Sequence, residues 1–322
     1  MSGPATDGEG ARVPVALVTH EACLEHDTGP WHPECPDRLR AVLRALAAPQ
    51  FDGLRRVAAP QASIEQLARV HPDRHIAAIL DLAPSPGETI ALDPDTMVSA
   101  GSREAALRAA GGAVAGVDAV MGGEVRRAFV AVRPPGHHAE RDRAMGFCLF
   151  SNAAIAARHA QARWGAGRVA VVDFDVHHGN GTQDICAPDP SLFYASSHQF
   201  PCYPGTGRAA ERGVAGNVVN APLPPGAGSA AFRAAWRDTI LPALDRFAPA
   251  LLIISAGFDA HLADPLAQLA LETEDFGWIT GALVRLAARH CQGRVVSVLE
   301  GGYDLDALAA SAAEHVHALL QP

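Results

Sequence analysis

The densest concentration of chemically useful side chains in this 322-residue sequence is Val169-Ala170-Val171-Val172-Asp173-Phe174-Asp175-Val176-His177-His178-Gly179-Asn180-Gly181. A β-branched run ends in acids and histidines and then breaks on glycine. That is the pattern of a buried parallel strand delivering polar groups at its carboxyl end. Side chains two residues apart on extended backbone point the same way, so Asp173, Asp175 and His177 converge if the geometry continues past the strand. Carboxylate oxygens and an imidazole nitrogen at this spacing suit a divalent cation, zinc or a neighbouring first-row ion. A helix-capping Asp or a packed core histidine accounts for one such residue but not for the whole cluster.

A catalytic zinc site has three protein ligands and an open position. Asp175 and His177 supply two. The third is expected to be an acid from another strand end, and both Asp259 and Asp264 qualify in Ser255-Ala256-Gly257-Phe258-Asp259-Ala260-His261-Leu262-Ala263-Asp264-Pro265. Asp264 precedes Pro265 and also suits a helix cap, so spacing alone does not choose. His137-His138 follow a Pro-Pro-Gly turn, with no apolar periodicity to place either ring in a core. The pair suits a general base acting on a metal-held water, oriented by Asp173 and Asn180. An acid partner raises a histidine's proton affinity more than a neutral Asn does, so the two rings are expected to differ. Tyr303, in Glu300-Gly301-Gly302-Tyr303-Asp304, has a hydroxyl able to donate to a carbonyl oxygen as charge develops there; packing at a sheet edge is its other use.

These motifs require one frame. Strands are predicted at 13–18, 128–132, 169–174, 192–195, 251–254 and 295–299, and helices at 99–121, 152–164, 232–247 (bent at Pro242), 275–290 and 305–320. Strand 128–132 leads into Arg133-Pro134-Pro135-Gly136-His137-His138, and strand 192–195 into Ser196-Ser197-His198. Strands 251–254 and 295–299 lead into the Asp259 and Tyr303 motifs. The alternation is that of a single α/β domain, a mostly parallel central sheet with helices on both faces, and ligands bind at the carboxyl edge of such a sheet. Further helices open near Pro36, at the Ser63-x-x-Gln66 capping box and at Pro72. A loop covers 84–95, a long irregular stretch 197–228, and residues 1–12 form a loose start before a catalytic domain over 13–322.

Composition narrows the function. The chain is 48% hydrophobic and 19% charged with a formal net charge of −9, which argues against general or direct nucleic-acid binding. All 26 basic residues are Arg, so a Walker A loop and Schiff-base lysine chemistry are excluded. The six Cys are scattered without C-x-x-C pairing, as reduced thiols in a cytoplasmic protein. No apolar run reaches membrane-spanning length.

Taken together, the blocks Arg133–Ala139, Asp173–Gln183, Ser255–Leu266 and Glu300–Asp304 resemble, in order, the signature blocks of the zinc-dependent histone deacetylase family of the arginase–deacetylase fold. His32-Pro33-Glu34, Gly146-Phe147-Cys148 and Pro204-Gly205-Thr206-Gly207 match as well, over about residues 20–310. Asn180 and the Glu300-Gly301-Gly302-Tyr303 turn make the chain similar to the class II branch and to bacterial histone deacetylase-like amidohydrolases. The resemblance implies Asp175, His177 and Asp264 as zinc ligands, with Fe(II) also accommodated, and a structural potassium near Asp173, Asp175, His177 and Ser196. It implies His138 as general base and later acid, His137 with Asp173 as its charged partner, and Tyr303 polarising the acyl carbonyl. Phe147 and Tyr203 would flank an acyl-lysine channel, although the family more often has Phe at the second place, and Gly146 would accept the substrate amide. The implied reaction is hydrolysis of acetyl or other acyl groups from N-acyl-lysine or related N-acyl amines. Leu266, where a polyamine-selective relative has Glu, tilts the reading toward an acylated lysine peptide over a small acylated amine, leaving acetylpolyamine hydrolysis as the alternative. A catalytically silent acyl-ligand-binding protein is a third reading, and a homo-oligomer is compatible with all three.

Overall fold

The apolar runs become strands of one eight-stranded sheet: β1 (Val15–Thr19), β2 (Arg55–Ala58), β5 (Arg127–Val130), β6 (Val169–Asp173), β7 (Leu192–Gln199), β8 (Val218–Leu223), β9 (Leu251–Ala256) and β10 (Val295–Leu299). A separate hairpin pairs β3 (Thr89–Ala91) with β4 (Met97–Ser99). The computed structural model of the chain describes residues 14–322, so the loose start expected over 1–12, and Val13, lie outside the described residues. The large sheet runs β2-β1-β5-β10-β9-β6-β7-β8, and every neighbouring pair in it is parallel. The expected α/β architecture is the one observed.

Parallel strands covered on both faces carry apolar residues throughout, and β5, β6, β9 and β10 are buried along their whole length. Helices Ser102–Met121 and Asn152–Trp164 pack together against β1, β5, β6, β9 and β10. Helices Pro36–Ala45, Thr273–Cys291 and Leu305–Leu320 form a second packed group, with Leu283, Leu308 and Val316 in the same core.

Besides the small hairpin, whose β3 falls in the loop expected over 84–95, three elements depart from the pattern reading. β8 runs through the stretch expected to be irregular. Its Pro222 removes a ladder donor, which an edge strand tolerates because one side is unpaired. β2, at the opposite edge, is largely exposed and carries no apolar alternation. The helix expected over 232–247 is three pieces, Ser229–Ala235, a π-helical turn Trp236–Ile240, and Leu241–Phe247. The wide turn lies just before Pro242, whose ring nitrogen donates no hydrogen bond and whose bulk crowds the preceding turn.

Candidate active site

The five strands that carry the polar motifs are β5, β10, β9, β6 and β7, and they are consecutive neighbours in the sheet. Their ends are in register: Asp173 lies beside Ser196 on one side and Ser255 on the other, and Leu299 beside Ala256. Five loops therefore leave one edge side by side, at the place where an open parallel sheet binds ligands.

At the centre of that edge, ligand-capable atoms of Asp175, His177 and Asp259 all lie within 4.8 Å of one another, and all three residues are buried. Nδ1 of His177 is 3.2 Å from Oδ1 of Asp175 and 3.1 Å from Oδ2 of Asp259. The carboxylates are aimed by backbone amides: Gly301 donates to Oδ2 of Asp175 (2.8 Å), and Val176 to Oδ1 of Asp259 (2.8 Å). A Cβ at Gly257 or Gly301 would collide with these carboxylates, so glycine lets the strand ends close around them. Burial and then the charge of Asp175 raise the Asp259 carboxyl to about 7. Burial opposes a charge on His177, yet the carboxylates of Asp175 and Asp259 hold it well above its ordinary value. A buried group that draws positive charge this strongly, through one imidazole and two carboxylates, fits a divalent cation.

Asp264, the third ligand implied by the resemblance, belongs to the same edge: burial and, more weakly, the charge of Asp175 raise its carboxyl. Its Oδ1 accepts from the amide of Leu266 (3.0 Å), and its Oδ2 from those of Tyr303 (2.7 Å) and Asp304 (3.4 Å). Asp264 lies five residues further along the loop than Asp259 and also fastens the Tyr303 turn.

The two histidines have different partners. Nδ1 of His137 is 3.0 Å from Oδ2 of Asp173, which also accepts from the hydroxyl of Tyr194 (3.1 Å). Nδ1 of His138 is 2.8 Å from Oδ1 of Asn180. Burial disfavours a charge on His137, but Asp175 and Asp173 outweigh it and lift its pKa to about 10. Burial, then the charges of His137 and His177, hold His138 well below 6.5. One ring is cationic at neutral pH while the other is free to accept a proton.

A cavity of about 240 Å³ opens onto these groups, lined by Pro33, Asp95, His138, Gly146, Phe147, His177, Tyr203, Leu266 and Tyr303. Phe147 meets Tyr303 edge-on (ring centroids 5.9 Å apart), and Tyr203 meets His138 edge-on (5.1 Å). Gly146 and Phe147 both take left-handed backbone (φ 55 and 68), an uncommon conformation for Phe that turns its ring into the channel wall. Phe147 is held there by its amide, which donates to Oγ1 of Thr96 (3.1 Å). The hydroxyl of Tyr303 makes no hydrogen bond among the described residues. Asp173, at the end of β6, lies beside Ser196 within β7, and both are buried, as are Asp175 and His177.

Several residues that hold the site are given no role by the sequence motifs. Glu300, fully buried, accepts from the amides of Gly136 (2.7 Å) and His137 (3.1 Å) at Oε2 and from Oγ of Ser255 (3.0 Å) at Oε1. Arg38 donates to the carbonyls of Gly302 and Glu300 (both 2.5 Å) and lies over the Tyr303 ring, 4.8 Å from its centroid. Glu34 binds both Arg38 (2.9 Å) and Arg133, which donates to it from Nε (2.5 Å) and Nη2 (2.6 Å). Asp95 reaches the channel from the β3–β4 hairpin. These contacts join positions remote in the chain, which neither spacing nor periodicity records.

Burial alone would raise Glu34, but Arg133 and then Arg38 bring its carboxyl from 4.5 down to about 2. A depressed carboxyl stabilises the fold above its unfolded pKa, and that contribution is lost as pH falls from about 4.5 through about 2. Glu34→Ala leaves two buried guanidinium groups unpaired, with an expected loss of about 3–5 kcal/mol in urea denaturation at pH 7. A loss below about 1 kcal/mol, the scale of an exposed pair, would remove Glu34 from this role.

The sequence profile of the histone deacetylase domain matches residues 32–319. The chain is 41% identical over 313 residues to a histone deacetylase-like amidohydrolase of Pseudomonas aeruginosa, covering 89% of this chain and 81% of that protein. It is 40% identical over 308 residues to the chloroplastic histone deacetylase 14 of Arabidopsis thaliana, covering 90% and 73%. Among solved structures, the HDA15 HD domain superposes with a TM-score of 0.89 at 37% identity, covering 96% of this chain and 88% of that one. With the parallel sheet and the rim of five loops already in place, these matches show that the chain belongs to the histone deacetylase family, a family of hydrolytic deacetylases.

Proposed function

We propose that this protein hydrolyses the amide of N-acetyl-lysine, or of a closely related short N-acyl-lysine, in peptides. The observation that carries the reading is the cavity whose wall joins the rings of Phe147 and Tyr203 to His138, His177 and Tyr303, with Asp175 and Asp259 buried against His177. An extended acyl-lysine side chain fits a narrow aromatic-walled passage, with Gly146 on its wall available to the substrate amide.

Asp175, His177 and Asp264, with Asp259 buried beside them, would hold the metal, zinc or Fe(II). Such a cation, when bound, polarises the acyl carbonyl and makes a water a better nucleophile near neutral pH. Asn180 accepts the Nδ1 proton of His138, which leaves Nε2 to take a proton from the attacking water. His137, kept cationic by Asp175 and Asp173, favours the negative charge that develops on the carbonyl oxygen. The Tyr303 hydroxyl donates to that same oxygen. His138 then returns its proton to the leaving amine. Asp173 and Ser196, with Asp175 and His177, are proposed to hold the structural potassium.

A small acylated amine is the second reading, favoured by the Asp95 carboxylate on the channel wall, while Leu266 on that wall offers no charge to a second ammonium. Turnover of an acetyl-lysine peptide at least about tenfold above that of acetylputrescine, a difference of about 1.4 kcal/mol, is expected. The reverse order would make the polyamine the better substrate. Tyr303→Phe is expected to lower kcat by about 10²–10³-fold, as for loss of one oxyanion donor. Unchanged rates in that variant would remove Tyr303 from the mechanism, and binding without turnover in the parent protein would leave only an acyl-ligand reader. The described cysteines are all free, in keeping with a reducing, cytoplasmic setting, and no described helix is long and apolar enough to cross a membrane.

A further inference from the structure

The hydrogen-bond chain that orients His138 does not end at Asn180. Nδ2 of Asn180 donates to Oε1 of Glu140 (2.8 Å) and lies 3.3 Å from Sδ of Met145, while Oδ1 faces Nδ1 of His138 (2.8 Å). A carboxylate and a thioether offer only acceptor atoms. Turned over, the amide would set its oxygen against both of them and its NH2 against the histidine. Glu140 and Met145 therefore select which end of the amide His138 meets. The oxygen end can only accept, so His138 carries its neutral-state proton on Nδ1 and keeps its lone pair on Nε2. Nε2 has no hydrogen-bond partner among the described residues, and the ring lines the channel.

Glu140 is itself held in place. Its amide donates to the carbonyl of Arg143 (3.0 Å) in a two-residue bridge, and the loop beyond carries Gly146 and Phe147. Its side chain forms part of the wall of a second cavity, of about 580 Å³, together with Asn180, Gln183 and Asp184. No basic side chain lines that cavity, so nothing there draws the carboxylate away from Asn180.

We propose that Glu140 is a positioning residue for the hydrolysis, acting through the Asn180 amide to hold His138 in the tautomer whose Nε2 is unprotonated. The proposal rests on the assignment of His138 as the base. A histidine in the other tautomer presents a proton where a lone pair is needed and is no base in that state.

Glu140→Gln replaces an acceptor-only group with one that can also donate, and so frees the Asn180 amide to turn. In that variant kcat on an acetyl-lysine peptide is expected to fall about tenfold with KM within about twofold, a partial loss of general-base catalysis. The imidazole nitrogen NMR signals of His138 are expected to move from an Nδ1-protonated pattern to a mixture of tautomers. In an Asn180→Asp background the carboxylate at 180 accepts from His138 without help. There Glu140→Gln is expected to cost nothing, or to raise the rate by removing one of two adjacent carboxylates. An equal loss in both backgrounds, or an unaltered tautomer pattern in Glu140→Gln, overturns the proposal. Absence of hydrolysis in the unsubstituted protein would instead strike the underlying assignment, and the tautomer measurement would still decide the role of Glu140.

Discussion

Asp264→Asn is expected to lose its metal and on the order of 10³-fold or more of its turnover. A metal ligand contributes several kcal/mol of transition-state stabilisation, and each 1.36 kcal/mol is tenfold in rate. The proposed ligands are Asp175, His177 and Asp264, and Asp264 lies close enough to Asp175 for that charge to bear on its carboxyl. Its oxygens also meet the amides of Leu266, Tyr303 and Asp304, so the same change is expected to loosen the Tyr303 turn. The contrasting variant is Asp259→Asn. That carboxylate accepts from the Val176 amide and lies 3.1 Å from Nδ1 of His177, so its loss is expected to disturb His177 and slow turnover while most of the metal is retained. Metal analysis of the two purified variants, with kcat on one acetyl-lysine peptide, separates the roles. A metal-free Asp259→Asn beside a metal-replete Asp264→Asn would reverse them.

His138→Ala is expected to lower kcat by about 10²–10⁴-fold with little change in KM, the range for loss of a positioned general base. The neighbouring ring cannot replace it. His137 donates to Asp173 and is held cationic up to about pH 10, so it has no lone pair to offer at neutral pH. His138, kept neutral by burial and by the charge beside it, does. His137→Ala removes a stabilising charge and leaves the base in place, so its loss in kcat is expected to be smaller. The reverse order of the two losses would exchange the roles of the rings.

Legibility in the sequence follows the range of the interactions. The Val169–Asp173 strand and its acids and histidines are local: a period-two backbone and a glycine break suffice to place Asp173, Asp175 and His177 at one sheet edge. The pairing of His137 with Asp173 was less local: β10 and β9 lie between β5 and β6, and the loop that leaves β5 reaches across the shared edge to Asp173. The choice between Asp259 and Asp264 was not legible from spacing, because both follow the same strand; the resemblance implies Asp264, and the contact of that carboxylate with the Tyr303 backbone joins positions remote in the chain. The clamp that sets this turn, Arg38 on Gly302 and Glu300 with Glu34 and Arg133 behind it, spans most of the sequence. The edge strand β8 was hidden for a different reason: Pro222 reads as a break, but on an unpaired edge it breaks nothing.

The most direct test is a crystal structure of the purified protein supplied with zinc, recorded at the zinc absorption edge. A single anomalous peak about 2.0–2.2 Å from Nδ1 of His177 and from one carboxylate oxygen each of Asp175 and Asp264 is expected. A peak bound away from these three residues, or no ion between these strand ends, would contradict the account.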